Sequence, residues 1–158
     1  MISVEFYFGT ESGTAEILCE DMEASITDRA TTEISSLDTV DPLTLSDGPL
    51  YVLVCSTFGT GDVPASAEDF YQELTRKKPD LAHIRFAIFG LGDRSFKDTF
   101  AQGSEKLMNA LLACNARMIG ERGIADASAA ELPEDIAVPW LQTILDIEAG
   151  SRKATASG

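Results

Sequence analysis

Apolar residues along the chain fall into two alternating rhythms. Ile2 to Phe8 is rich in β-branched and aromatic residues and stops at Gly9, which predicts a strand. Ala15, Leu18, Cys19, Met22 and Ile26 then recur at helical spacing. Thr31 to Leu37 predicts a weaker strand near a sheet edge, and Leu50 to Cys55 is almost wholly apolar, as a strand buried on both faces must be. Ser66 with Asp69 three residues on resembles a capping box, opening a helix with Ala67, Phe70, Tyr71 and Leu74 on one side. Arg85 to Gly90 predicts another buried strand; Leu107, Leu111 and Cys114 mark a helix; Arg117 to Ile119 begins a last strand. Ala137, Trp140, Leu141, Ile144 and Leu145 form the stripe of a final helix. Pro139 fits only a first turn, so that helix is expected to start near Asp135 or Ile136.

Strands alternating with helices specify an α/β fold, a parallel sheet with helices on both faces. No repeat or linker divides it. One domain is expected over residues 1–148, with the small polar residues 149–158 a flexible tail. Glu5 is the misfit, a carboxylate inside an expected central strand.

Composition narrows the class. The chain has 158 residues, 44% hydrophobic and 24% charged, enough for one ordinary globular core. No apolar run approaches the roughly 20 residues that span a bilayer, and the start lacks a basic signal region, so a cytoplasmic location is expected. Cys19, Cys55 and Cys114 match no metal or redox spacing and are expected to be buried free thiols. A net charge of −14 repels nucleic acid and anionic membrane and steers toward basic partners. His83, the one histidine, suits a surface position, and Arg76-Lys77-Lys78 complements the C-terminal dipole of a helix.

Three loops carry the chemistry. Gly9-Thr10-Glu11-Ser12-Gly13-Thr14 joins the first strand to the first helix. Its glycines allow a tight turn, its hydroxyls donate, and the helix that follows presents N–H groups at a positive dipole end, which together suit a phosphate. No Gly-Lys-Ser/Thr follows and there is no Gly-x-Gly-x-x-Gly, which excludes both a Walker loop and the dinucleotide fingerprint. The loop has no Lys or Arg, so it suits a retained monophosphate better than a triphosphate with Mg²⁺. A Ser/Thr-rich helix cap without a ligand would use the same residues. Ser56-Thr57-Phe58-Gly59-Thr60-Gly61-Asp62-Val63-Pro64 follows the most apolar strand, and Gly90-Leu91-Gly92-Asp93-Arg94-Ser95-Phe96 follows the next. Phe58 and Phe96 sit on glycine-bearing loops, where an aromatic ring either covers something flat and apolar or packs back into the core.

Read together, these loops resemble those of flavodoxins and of the FMN domains of diflavin reductases, most closely the short MioC-type flavodoxins. Thr10 to Glu16 resembles the phosphate loop, Ser56 to Pro64 the Ser-Thr-aromatic-Gly-x-Gly-Asp-x-Pro loop, and Phe89 to Phe96 with Phe100 the third stretch. Leu132-Pro133-Glu134-Asp135 with Trp140-Leu141 resembles the terminal helix. The resemblance covers roughly residues 2 to 147. It implies a flavodoxin-like doubly wound five-stranded sheet of order 2-1-3-4-5, with the three loops at the switch-point crevice. It also implies FMN bound non-covalently, with Phe58 and Phe96 on its two faces, the Gly59 carbonyl facing flavin N5, and Asp126 near the ring. The role implied is an electron carrier, not an enzyme: a monomer fed by a basic NADP-dependent flavodoxin reductase and feeding an iron–sulfur or haem acceptor enzyme. An FMN-dependent quinone or nitro reductase is the alternative, although no basic cluster for an NADPH phosphate lies near the loops. A phospho-receiver domain is disfavoured, because the first and third strands end in Phe-Gly-Thr and Cys-Ser-Thr where a receiver needs acids.

Overall fold

Alternate residues of a strand point to opposite faces, so a strand sandwiched between two helical layers must be apolar throughout. Leu50–Ser56 (β3) meets that demand, buried from Leu50 to Cys55, and it lies in the middle of the sheet. The structure, a computed structural model, describes residues 2–9, 13–56, 65–92, 102–126 and 132–157. Along the chain come β1 (Ile2–Gly9), α1 (Thr14–Ser25), β2 (Ala30–Ser36), two 3₁₀ turns (Leu37–Thr39 and Pro42–Thr44) and β3. Then follow α2 (Ala65–Lys77), β4 (Arg85–Gly92), α3 (Gln102–Ala113), β5 (Arg117–Met118), β6 (Gly123–Asp126) and α4 (Pro133–Ser157).

All strand pairs are parallel, in the order β2-β1-β3-β4-β5, with β6 also on β4. This is the expected order 2-1-3-4-5, with the last strand in two pieces. β5 pairs with the start of β4 (Phe86 with Met118) and β6 with its end (Phe89 with Gly123). Between those pairs the outer lane takes five steps where β4 takes three, so two residues bulge out. Gly120 makes the bulge possible at φ 70°, and a Cβ there would come within 2.5 Å of Ile144 Cδ1.

Two cores result. On one face Val4, Phe6, Val52, Val54 and Phe89 meet α1 and α4 through Leu18, Met22, Leu141 and Leu145. On the other, Leu53, Cys55, Phe86 and Ile88 meet α2 and α3 through Phe70, Leu74, Leu107 and Leu111. The three cysteines are buried free thiols. Glu5 is explained by its own face of the sheet: Tyr7, two residues on, donates its hydroxyl to Glu5 Oε2 at 2.8 Å. The Tyr7 ring stacks on Tyr51 at 5.4 Å, and the Tyr51 hydroxyl accepts from the Ser46 amide.

Two helix starts differ from the sequence pattern. α2 begins at Ala65, so Ser66 sits inside the first turn, two places further in than the capping box requires; an alanine ahead of the serine is itself a good helix former. α4 begins at Pro133, and Pro139 lies in its interior, not its first turn. Proline there removes one bond to the Asp135 carbonyl. Flanking contacts offset that cost: Ala137 and Leu141 are fully buried, and Trp140 Nε1 donates to the Glu121 carbonyl at 3.0 Å.

Candidate functional site

The carboxyl ends of the central strands form one edge. Gly9 pairs with Cys55, Cys55 with Gly90, Ser56 with Leu91, and Gly92 with Asp126, so the ends of β1, β3, β4 and β6 stand side by side. In parallel strands joined by helices, each helix starts where its strand ends, so the N-termini of α1 to α4 face this same edge.

The first loop shows its logic at Gly13. This residue is the N-cap of α1 at φ 86°, ψ −5°, a left-handed conformation that costs a side-chain-bearing residue energy. Its carbonyl accepts from the Ile17 amide at 3.1 Å, starting the helix. A glycine has no side chain with which to cap first-turn amides, and a Cβ built there meets nothing within 4 Å. The turn therefore needs glycine for its backbone angle, not for want of room, and it leaves space in front of the helix end. Thr14, the first residue of α1, brings a hydroxyl to the same place. No Lys or Arg occurs from Gly9 to Thr14 or from Ser56 to Pro64. A phosphate held here would rest on amides, hydroxyls and the dipole.

Beneath this edge the end of β3 is inert. Burial pushes the Cys55 thiol up to about 12, and its Sγ lies 3.3 Å from the Ser56 carbonyl. Such a thiol is neither nucleophile nor metal ligand at neutral pH. Among the described residues no group of His, Cys, Asp and Glu is arranged to hold a metal ion, and no helix is long and apolar enough to cross a membrane.

Of the site residues expected from the sequence, Gly13, Thr14, Ser56, Gly90, Leu91, Gly92 and Asp126 come together on this edge. Thr10, Glu11, Ser12, Thr57, Phe58, Gly59, Thr60, Gly61, Asp93, Phe96 and Phe100 lie outside the described residues. Sequence reasoning missed Arg122, whose Nη1 donates to the hydroxyl of buried Ser104 at 2.9 Å. The two residues are 18 positions apart, and only a basic residue directly before the last strand hinted at it.

The family's sequence model, described as Flavodoxin, matches residues 7–140. The chain belongs to the flavodoxin family. FMN is the cofactor of this family, and an edge built of amides, hydroxyls and helix ends, with no Lys or Arg in its first two loops, fits a flavin monophosphate. The flavodoxin chain is 30% identical over 148 residues to protein MioC of Escherichia coli O157:H7, covering 93% of this chain and 99% of that one. It is 37% identical over 139 residues to NADPH-dependent diflavin oxidoreductase 1 of Emericella nidulans, covering 85% of this chain and 21% of that longer protein. Among solved structures, a C101A mutant of flavodoxin from Pseudomonas aeruginosa superposes with a TM-score of 0.77 at 27% identity, over 92% of this chain and 98% of that one.

Proposed function

We propose that this flavodoxin is a one-electron carrier rather than an enzyme, holding FMN non-covalently at the carboxyl edge of its sheet. The convergence of Gly13, Ser56, Gly92 and Asp126 on that edge carries the reading. In it, the Gly13–Thr14 turn holds the phosphate together with Thr10, Glu11 and Ser12. Phe58 and Phe96 cover the ring faces, Thr57 and Gly59 to Gly61 line its edge, and Asp93, Phe100 and Asp126 close the outer side. Bound FMN supplies the exchange of single electrons. The chain contributes binding, orientation and an acidic field, and with −14 net charge that field opposes further negative charge on the ring.

The same charge favours docking to basic faces, supporting an NADP-dependent flavodoxin reductase as donor and an iron–sulfur or haem enzyme as acceptor. That a relative named as an NADPH-dependent diflavin oxidoreductase contains a matching segment agrees with a reductase partner. We place the working protein in the cytoplasm as a monomer, with its domain over residues 1–148 and the helical end of α4 beyond it.

The test begins with a visible spectrum of the purified protein: flavin bands near roughly 370 and 450 nm, released as FMN on denaturation, are expected. A colourless protein that does not take up added FMN sinks the proposal. Steady oxidation of NAD(P)H by the protein alone would instead identify a quinone or nitro reductase.

A further inference from the structure

Gly92 at the end of β4 and Gln102 at the start of α3 are two anchors on the carboxyl edge of the sheet. Both anchors are tied to one short segment. Asp126 at the end of β6 pairs with Gly92, fixing the first anchor. Arg122, directly before β6, donates from Nη1 to Ser104 Oγ at 2.9 Å, in the first turn of α3, fixing the second.

Arg122 reaches out from a rigid point. On one side of it the Glu121 carbonyl accepts from Trp140 Nε1 at 3.0 Å. On the other, Gly123 lies so close under Phe89 that a Cβ would come within 2.4 Å of the ring, and within 3.0 Å of Trp140. The two-residue bulge around Gly120 is what offsets Arg122 from the strand. Its target is equally fixed, since Ser104 is fully buried and Gly103 beside it is buried too. A guanidinium suits this span because its several donors sit in a planar fork on a long stem.

We propose that Arg122 is a positioning residue for the FMN site: through Ser104 it holds the first turn of α3 at a set distance from the end of β4. The inference rests on the FMN reading above. Arg122 acts through Ser104 and the helix it holds, not by contact with the flavin. Without Arg122, the first turn of α3 shifts against the ends of β4 and β6, and Gly92 and Asp126 lose their set relation to that helix end.

The experiment measures FMN dissociation constants by fluorescence titration, the two one-electron potentials of the bound flavin, and apoprotein melting for wild type, R122A, R122K, S104A and R122A/S104A. Expected is binding weaker by about tenfold in R122A, the size of losing a charged hydrogen bond. R122K recovers part of it, S104A moves in the same direction, and the double variant binds no more weakly than R122A, the signature of one shared interaction. The potentials shift in R122A and return toward wild type in R122K, which a loss of global stability alone would not produce. Unchanged affinity and potentials in R122A, or strictly additive effects in the double variant, overturn the positioning role. Should R122A fail to fold, R122K and S104A decide the question in the same way. A wild-type chain that takes up no FMN overturns the underlying reading instead, so the two failures are distinct.

Discussion

A single glycine shows how backbone chemistry becomes a binding property. Gly13 holds φ 86° with open space around its Cβ position, so Gly13→Ala is resisted by the backbone and not by crowding. The expected result is roughly 1–2 kcal/mol of strain, read as about a tenfold loss of FMN affinity in a fluorescence titration. Glu148 carries a different kind of cost. It is fully buried on α4, and Arg85 Nε donates to its Oε1 at 2.8 Å, while the same guanidinium donates to the Asp47 and Gly48 carbonyls. Removing Glu148 costs Arg85 a charged hydrogen bond but leaves it the two carbonyls, so Glu148→Ala should lower urea-unfolding stability by about 2 kcal/mol. Both features differ in how far the sequence disclosed them. Gly13 was legible because a glycine between a strand and a helix has few other uses. Glu148 was not, because its partner lies 63 positions away and a carboxylate near the end of a helix ordinarily faces water. Glu5 lies between these cases: the i, i+2 spacing to Tyr7 puts both side chains on one face, a pattern that could have been read directly.

Whole elements were legible where periodicity was strong. β3 and β4 follow from their apolar runs, since a strand buried on both faces tolerates little that is polar, and the α1 stripe follows from its spacing. The last strand was harder. Its break depends on Ile144 and Ile147 crowding Gly120 from another helix, and no local signal encodes that. Pro139 misled for a related reason: helix interiors exclude proline on local grounds, yet burial of Ala137, Leu141, Ile144 and Leu145 outweighs the missing bond. Pro139 is exposed, so replacing it disturbs little packing. Pro139→Ala is expected to stabilise the apoprotein by about 1–2 kcal/mol, the restored helix bond less the added freedom of the unfolded chain, measured by urea titration. A destabilised variant would mean the proline sets a bend that the Trp140 contact needs.

At the scale of the molecule, charge and buried acids govern behaviour in solution. With 26 acidic residues against 12 basic, electron transfer with a basic reductase should slow as salt rises, by tenfold or so between about 10 and 300 mM in stopped-flow measurements. A rate indifferent to salt would remove the docking argument. Stability should also fall at alkaline pH. Burial raises the thiols of Cys19, Cys55 and Cys114 and the Tyr7 phenol above their ordinary values, Cys55 to about 12. Groups raised on folding stay protonated in the native state while the unfolded chain ionises, so their contribution is whole below about pH 9 and is lost as pH rises through the raised values. Thermal scans from pH 7 to 11 should show a steady decline starting near pH 9, and a flat profile would contradict the burial of these groups.

The order β2-β1-β3 also has a meaning in time. β1 is the first strand to leave the ribosome, yet it has no helix to lie on until α1 follows, and it pairs on one side with β2 and on the other with β3, whose first residue is Leu50. An apolar ribbon with both edges open must therefore wait for some forty residues of chain before it is enclosed. The sheet's outer lane, β5 and β6, closes only once the chain has been made as far as Asp126. Parallel pairing across such separations is slow. During that interval β1 is the part of this protein with most to gain from sticking to a neighbour's copy.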